Sequence, residues 1–132
     1  MILGIGTDVT ALDRIRDLLE KHGDRFLRRI FTSLEREYCD TFSDPVPHLG
    51  ARFAAKEAAY KAFGGAGPLH WKEMEIQNDP SGKPNLVFHG ETARLAEEAG
   101  VRRSFVSLAH DAGMATAQVI LEGEPPEEPV GG

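Results

Sequence analysis

The chain has one cysteine, Cys39, so no internal disulfide can form, and a reducing, cytoplasmic setting is the simpler expectation. Nowhere does an apolar run approach the roughly 20 residues needed to span a bilayer, so no membrane partner is expected. Met1 leads straight into an apolar segment, which leaves no room for a secretory signal peptide. Positive charge is also short. Fifteen Lys and Arg against 21 Asp and Glu give a formal net charge of −6, which argues against nucleic acid as the main partner. Internal repeats are missing too.

What is present suits one soluble domain. A chain of 132 residues, 41% hydrophobic and 27% charged, is long enough to bury a core without staples. Met1–Thr7 reads as a strand that ends near Asp8. Leu12, Ile15, Leu18 and Leu19 have helical spacing over 12–21, and Gly23 stops that helix. Asp24 is placed to cap a second helix over 25–31. Thr32 and Glu35 have the spacing of a capping box, opening a third helix that runs to about Phe42. Pro45 and Pro47 break the chain before a central helix over 49–63, which the glycines at 64, 65 and 67 close.

Beyond that point the apolar period falls to two. Met74 and Ile76, then Leu86 and Phe88, flank the turn Asp79-Pro80-Ser81-Gly82, and together they predict a hairpin. A helix over 91–99 follows. A second hairpin pairs 105–110 with 115–121, its inward face being Ala115, Ala117, Val119 and Leu121. Hairpins without βαβ crossovers imply an α+β fold with a mostly antiparallel sheet and a long central helix. Residues 1–122 form the expected single domain, and 123–132 an acidic, proline-rich, disordered tail.

Two segments carry chemistry. In Arg52–Phe63 (RFAAKEAAYKAF), alanines at three- and four-residue spacing give a face small enough for close packing. Phe53, Glu57 and Lys61 at i, i+4, i+8 put an acid beside a base. In Gly4–Asp8 (GIGTD), an apolar run delivers a carboxylate. Asp8 and Glu57 are the donors that a sparsely ligated Mg²⁺ needs, because that ion keeps waters and fills its other positions with substrate phosphate.

GIGTDV followed by Arg14-Ile15, RFAAKEAAYKAFG, Asn78-Asp79 with Gly82-Lys83-Pro84, and Val106–Asp111 (VSLAHD) resemble the signatures of the holo-acyl-carrier-protein synthases. These are the small stand-alone 4′-phosphopantetheinyl transferases, and the resemblance spans residues 1–122. It implies Mg²⁺-dependent transfer of the phosphopantetheine arm of coenzyme A to a serine of apo-acyl carrier protein, in fatty acid biosynthesis. It also implies a homotrimer with active sites between subunits. Asp8 and Glu57 match the family's metal positions, and Lys61, with both of them, its catalytic set. Arg52, Lys56, Lys61, Gly64, Gly65 and His110 match coenzyme A contacts. Arg14, Leu18, Arg25, Phe26 and Arg29 match positions that dock the acidic carrier protein. The net charge opposes such a partner, but Arg14, Arg16, Lys21, Arg25, Arg28, Arg29 and Arg36 cluster early while acids gather at Glu97, Glu98 and in the tail. The loop Gly65–His70 is about two residues shorter than in many members.

Each feature has a plainer reading by itself. Asp8 suits a cap or an Asx turn, Glu57–Lys61 a solvated ion pair, the glycines a helix stop, and the arginines a hydrated helix face. Their occurrence together and in order favours the transferase. The rivals are a Mg²⁺-dependent coenzyme A hydrolase, which needs no docking face, and a binding module without turnover.

Overall fold

The elements come in the expected order: strand, four helices, hairpin, helix, hairpin. The computed structural model describes residues 1–127. They form β1 (Ile2–Ala11), α1 (Leu12–His22), α2 (Asp24–Ile30), α3 (Ser33–Asp40) and α4 (Val46–Ala62). A single 3₁₀ turn at Trp71–Glu73 leads to β2 (Met74–Asn78) and β3 (Pro84–Phe88). α5 (Gly90–Glu98), β4 (Val101–Asp111) and β5 (Met114–Gly123) complete the chain. Two antiparallel sheets result, one of order β1-β5-β4 and the other the β2-β3 hairpin. The fold is α+β, as expected.

Two glycines determine how near β1 comes to α4. A Cβ on Gly6 would lie 1.8 Å from the carbonyl oxygen of Ala58, and one on Gly4 would lie 2.0 Å from that of Ala62. The helix answers with Ala54, Ala55, Ala58, Ala59 and Ala62, all buried. Glycine facing alanine thus brings two backbones into direct contact. The inward face of β5 is the expected set, with Ala115, Ala117, Val119 and Leu121 buried against the same helix.

Several boundaries differ from expectation for physical reasons. β1 continues past Thr7 to Ala11, because β5 reaches along it from Ile2↔Glu122 to Ala11↔Met114, so Asp8 lies within the strand opposite Ala117. α4 begins at Val46 with Pro47 in its first turn, where a missing N–H costs no helical hydrogen bond. Asp24 does not cap α2. Its carboxylate instead binds Arg36 at 2.5 Å and Arg28 at 3.4 Å. The Thr32–Glu35 capping box forms as read, though α3 stops at Asp40. The β4-β5 turn places Ala112 (φ 50°) and Gly113 (φ 78°) both at positive φ, the pattern of a primed two-residue turn. Gly123 and Glu124 are bound to the body of the fold rather than free. The Gly123 amide donates to the Met1 carbonyl and the Glu124 amide to that of Gly100. Of the expected tail, 128–132 lies outside the described residues.

Candidate active site

β1 and α4 together position the chemistry. Alternation along β1 turns Gly6, Asp8 and Thr10 toward the helix, and Asp8 is buried there at 7% exposure. The Thr10 hydroxyl donates to Asp8 Oδ2 at 2.9 Å. Lys61 Nζ donates to Asp8 Oδ1 at 3.0 Å and to the Thr7 carbonyl at 3.3 Å. Glu57, one turn before Lys61, projects toward Asp8, close enough for the two carboxyl groups to influence each other. Burial, and then the neighbouring Asp8, push the Glu57 carboxyl above the usual carboxylate range, while Arg14 and Lys61 oppose the shift. Sequence spacing already pairs Glu57 with Lys61. The orienting Thr10 was not foreseen, although its place two residues along the strand from Asp8 was a usable signal.

This donor set fits a divalent cation. Two carboxylates at one point repel each other, and a cation between them relieves that repulsion. Among the described residues no group of three or more His, Cys, Asp and Glu side chains is poised to hold a metal. Two carboxylates with the remaining positions left to water and substrate oxygen is the habit of Mg²⁺ rather than of a closed structural site.

A cleft of about 310 Å³ lies nearby, lined by α1, α2 and α4. Arg14, Leu18, Arg25, Phe26 and Arg29, the five positions matched to carrier docking, all line it, joined by His22, Ile30, Phe53 and Trp71. Its floor is aromatic. Phe53 stacks on Trp71 with centroids 5.1 Å apart, and the Arg14 guanidinium lies 5.2 Å above the Phe53 ring. An apolar floor under three arginines suits an acidic helix with an apolar stripe. Because Arg14 also bears on the charge of Glu57, cleft and carboxylates are electrostatic neighbours.

Arg52 and His110 meet at a second cleft of about 180 Å³, shared with Tyr38, His48, Asn78, Gly82 and Pro84. Arg52 is only 2% exposed. It donates to the His48 carbonyl at 3.2 Å and to Asn78 Oδ1 at 2.5 Å, and its guanidinium carbon lies 4.3 Å over the Tyr38 ring. Five residues separate Arg52 from Glu57, so they project roughly 140° apart around α4. The two groups occupy different faces of one helix.

One expectation is corrected. Lys56 does not face phosphate: its ammonium is fully buried. It donates to Glu35 Oε1 at 2.8 Å and to the carbonyls of Trp71 at 2.9 Å and Met74 at 2.7 Å. Glu35 spends its other oxygen on the Ile76 amide at 2.9 Å, so the pair ties α3, α4 and β2 together. The resemblance assigned Lys56 to coenzyme A without revealing that its face of α4 is enclosed. The amides of Gly64 and Gly65 are also committed, donating to the carbonyls of Lys61 at 2.9 Å and Tyr60 at 3.0 Å. Their positive φ closes α4, and what they leave beside the helix is open space.

Comparison with known proteins adds a third line. Residues 4–117 match the model of the 4′-phosphopantetheinyl transferase superfamily. The holo-[acyl-carrier-protein] synthase of Koribacter versatilis is 44% identical over 124 residues, covering 92% of this chain and 99% of that protein. The crystal structure of the synthase from Neisseria meningitidis superposes with a TM-score of 0.84 at 36% identity, covering 92% of this chain and 99% of that one. A coenzyme A complex of the enzyme from Chronobacterium ammoniagenes superposes with a TM-score of 0.81 at 31% identity, over 92% and 97% of the two chains.

Proposed function

The chain belongs to the 4′-phosphopantetheinyl transferase superfamily, and on that premise we propose that it acts as a holo-acyl-carrier-protein synthase. The serine hydroxyl of an apo-acyl carrier protein attacks the pyrophosphate of coenzyme A. A new serine O–P bond forms, the P–O bond to the nucleotide breaks, and adenosine 3′,5′-bisphosphate leaves. The observation that carries this reading is the meeting of Asp8, Glu57 and Lys61 beside the arginine-rimmed cleft.

Asp8 and Glu57 would hold Mg²⁺, which when bound neutralises charge on the pyrophosphate. Lys61 is half-exposed and needs only to swing from Asp8 to hold a phosphoryl oxygen. Glu57, or a water held by the metal, would take the serine proton. Arg14, Arg25 and Arg29 orient the carrier so that its serine arrives at this point. A hydrolase would have no use for that cleft, which is why the transferase reading is preferred.

The same reading includes a homotrimer with shared sites. Ile5, Val9 and Phe105 are 63%, 59% and 46% exposed on the sheet face turned away from α4. Register places Ile5, Ile120 and Phe105 in one row across β1, β5 and β4. An apolar row of that kind is a natural contact with further copies. The Arg52–His110 cleft and the Asp8–Glu57 pair, lying on different faces of α4, would then meet across a subunit boundary and bind opposite ends of one coenzyme A. A cytoplasmic location belongs to this reading as well. Among the described residues no helix is long and apolar enough to cross a membrane.

Intact mass of an apo-acyl carrier protein incubated with this protein, coenzyme A and Mg²⁺ tests the proposal. A gain equal to the phosphopantetheine arm, abolished by chelator, is expected. Consumption of coenzyme A without that gain would favour the hydrolase.

A further inference from the structure

Arg52 lines the second cleft with one of its donors unpaired. The Nε of Arg52 is the one buried side-chain polar atom without a hydrogen-bond partner among the described residues. A buried donor left unpaired is costly unless something occupies the space before it. No carboxylate lines the cleft among the described residues, while Arg52, His48 and His110 all do. Such a cleft asks for an anion with several acceptor oxygens.

His48 is the member of the cleft that no sequence motif marks. Its ring lies flat on Phe42, with centroids 3.5 Å apart and planes within 12°, and meets His110 edge-on at 5.4 Å. The stack fixes the plane of the ring and holds it at the cleft. We propose that His48 is a further binding residue, which as imidazolium joins Arg52 and His110 in gripping a phosphate group of coenzyme A. This rests on the reading that the chain binds coenzyme A.

A proton linkage follows. The groups acting on His48 are Arg52 on its own helix, His110 from β4 and Asp44 just before α4, while Tyr38 from α3 also lines the cleft. Asp44 is already engaged, by Arg16 at 2.8 Å and by the Val46 amide at 3.1 Å. Burial, then His110, then Arg52 hold the ring below the ordinary histidine range, with Asp44 opposing. The free protein near neutrality therefore carries His48 mostly uncharged. An incoming phosphate favours the charged ring, so binding takes up a proton and the contribution of His48 grows as pH falls.

The test is the dissociation constant of coenzyme A for the wild-type protein and for His48→Gln, at about pH 6 and about pH 8. The second pKa of the phosphate is common to both proteins and cancels in their ratio. Wild type should gain on the variant by about fivefold between the higher and lower pH, the scale of a partly exposed ion pair. His48→Phe, which keeps an aromatic ring against Phe42, should behave like His48→Gln and so separates charge from stacking. Repeating the series with 3′-dephospho-coenzyme A locates the group. A gain confined to coenzyme A assigns His48 to the 3′-phosphate, and a gain with both ligands assigns it to the pyrophosphate. A pH-independent ratio with both ligands overturns the inference while leaving the transferase reading intact. Failure of the wild type to bind coenzyme A at either pH overturns that reading, and this inference with it.

Discussion

Lys61 Nζ lies 3.0 Å from Asp8 Oδ1, joining residues 53 positions apart in sequence and spanning the contact between α4 and β1. Without a substrate the lysine serves as counter-ion to a buried carboxylate that it would share with a metal. Were Asp8 and Glu57 to hold a divalent cation, its charge would take over that counter-ion role and leave Lys61, half-exposed, free for a phosphate oxygen. The resting ion pair keeps the carboxylates from repelling one another until substrate and metal arrive.

Glu57→Gln should therefore leave a folded protein that turns over poorly. The substitution keeps shape and removes one charge. Loss of a positioned proton acceptor alone costs on the order of 10²–10⁴ in rate, and weakened metal binding adds to that. Thermal unfolding gives an independent readout. Mg²⁺ should raise the melting temperature of wild type and leave that of Glu57→Gln unchanged. A variant with near-normal activity at low Mg²⁺ would remove Glu57 from the metal site.

Gly6→Ala asks whether backbone contact is what positions Asp8. The new Cβ would fall 1.8 Å from the Ala58 carbonyl oxygen, so strand and helix must separate. Overpacking of this kind costs about 1–3 kcal/mol. The displacement moves Asp8 relative to Glu57, and the Mg²⁺-induced rise in melting temperature should shrink along with activity. Chemical denaturation at several Mg²⁺ concentrations would show both effects. An unaltered Mg²⁺ response in a destabilised protein would mean that the carboxylates tolerate looser packing.

The alanine face, the capping box, both hairpins and the Glu57–Lys61 pair were legible because each rests on local period or turn chemistry, whereas Asp8 joined that pair only through the resemblance to a known family. The burial of Lys56 was not. α4 is covered on nearly every side, so its polar residues do not sort onto one wet face, and spacing cannot distinguish Lys56 from Lys61. Glu35 illustrates the same limit. Its capping bond to the Thr32 amide is written in a four-residue motif, whereas its bonds to Lys56 and Ile76 depend on which elements later meet. His48 escaped notice because a histidine without ligand spacing has no signature until the fold places Arg52 and His110 around it.

Lys56→Met tests the corrected assignment. It strands Glu35 in the interior facing two backbone carbonyls that have lost their donor. Removing one partner of a buried ion pair costs about 3–5 kcal/mol. A second change, Glu35→Gln, should recover part of that loss by removing the uncompensated charge. Urea unfolding of both variants measures the difference. If Lys56→Met instead kept its stability and lost only affinity for coenzyme A, the original assignment to phosphate would be restored.

Arg14→Glu separates the two substrates. Arg14 lines the aromatic-floored cleft and lies over Phe53, so reversing its charge places an acid where an acidic partner must dock. Like-charge contact slows encounter and weakens the complex, and the penalty shrinks as salt screens it. The KM for apo-acyl carrier protein should rise by about tenfold or more, equivalent to roughly 1.4 kcal/mol, with a much smaller change for coenzyme A. Arg14 also lowers the proton affinity of Glu57, so some loss of kcat is expected too. The salt dependence distinguishes these effects. A docking defect fades between low and high ionic strength, whereas a defect at the partly buried Glu57 persists. Equal losses on both substrates at every salt concentration would mean that Arg14 serves the carboxylates alone, and that the carrier protein docks elsewhere.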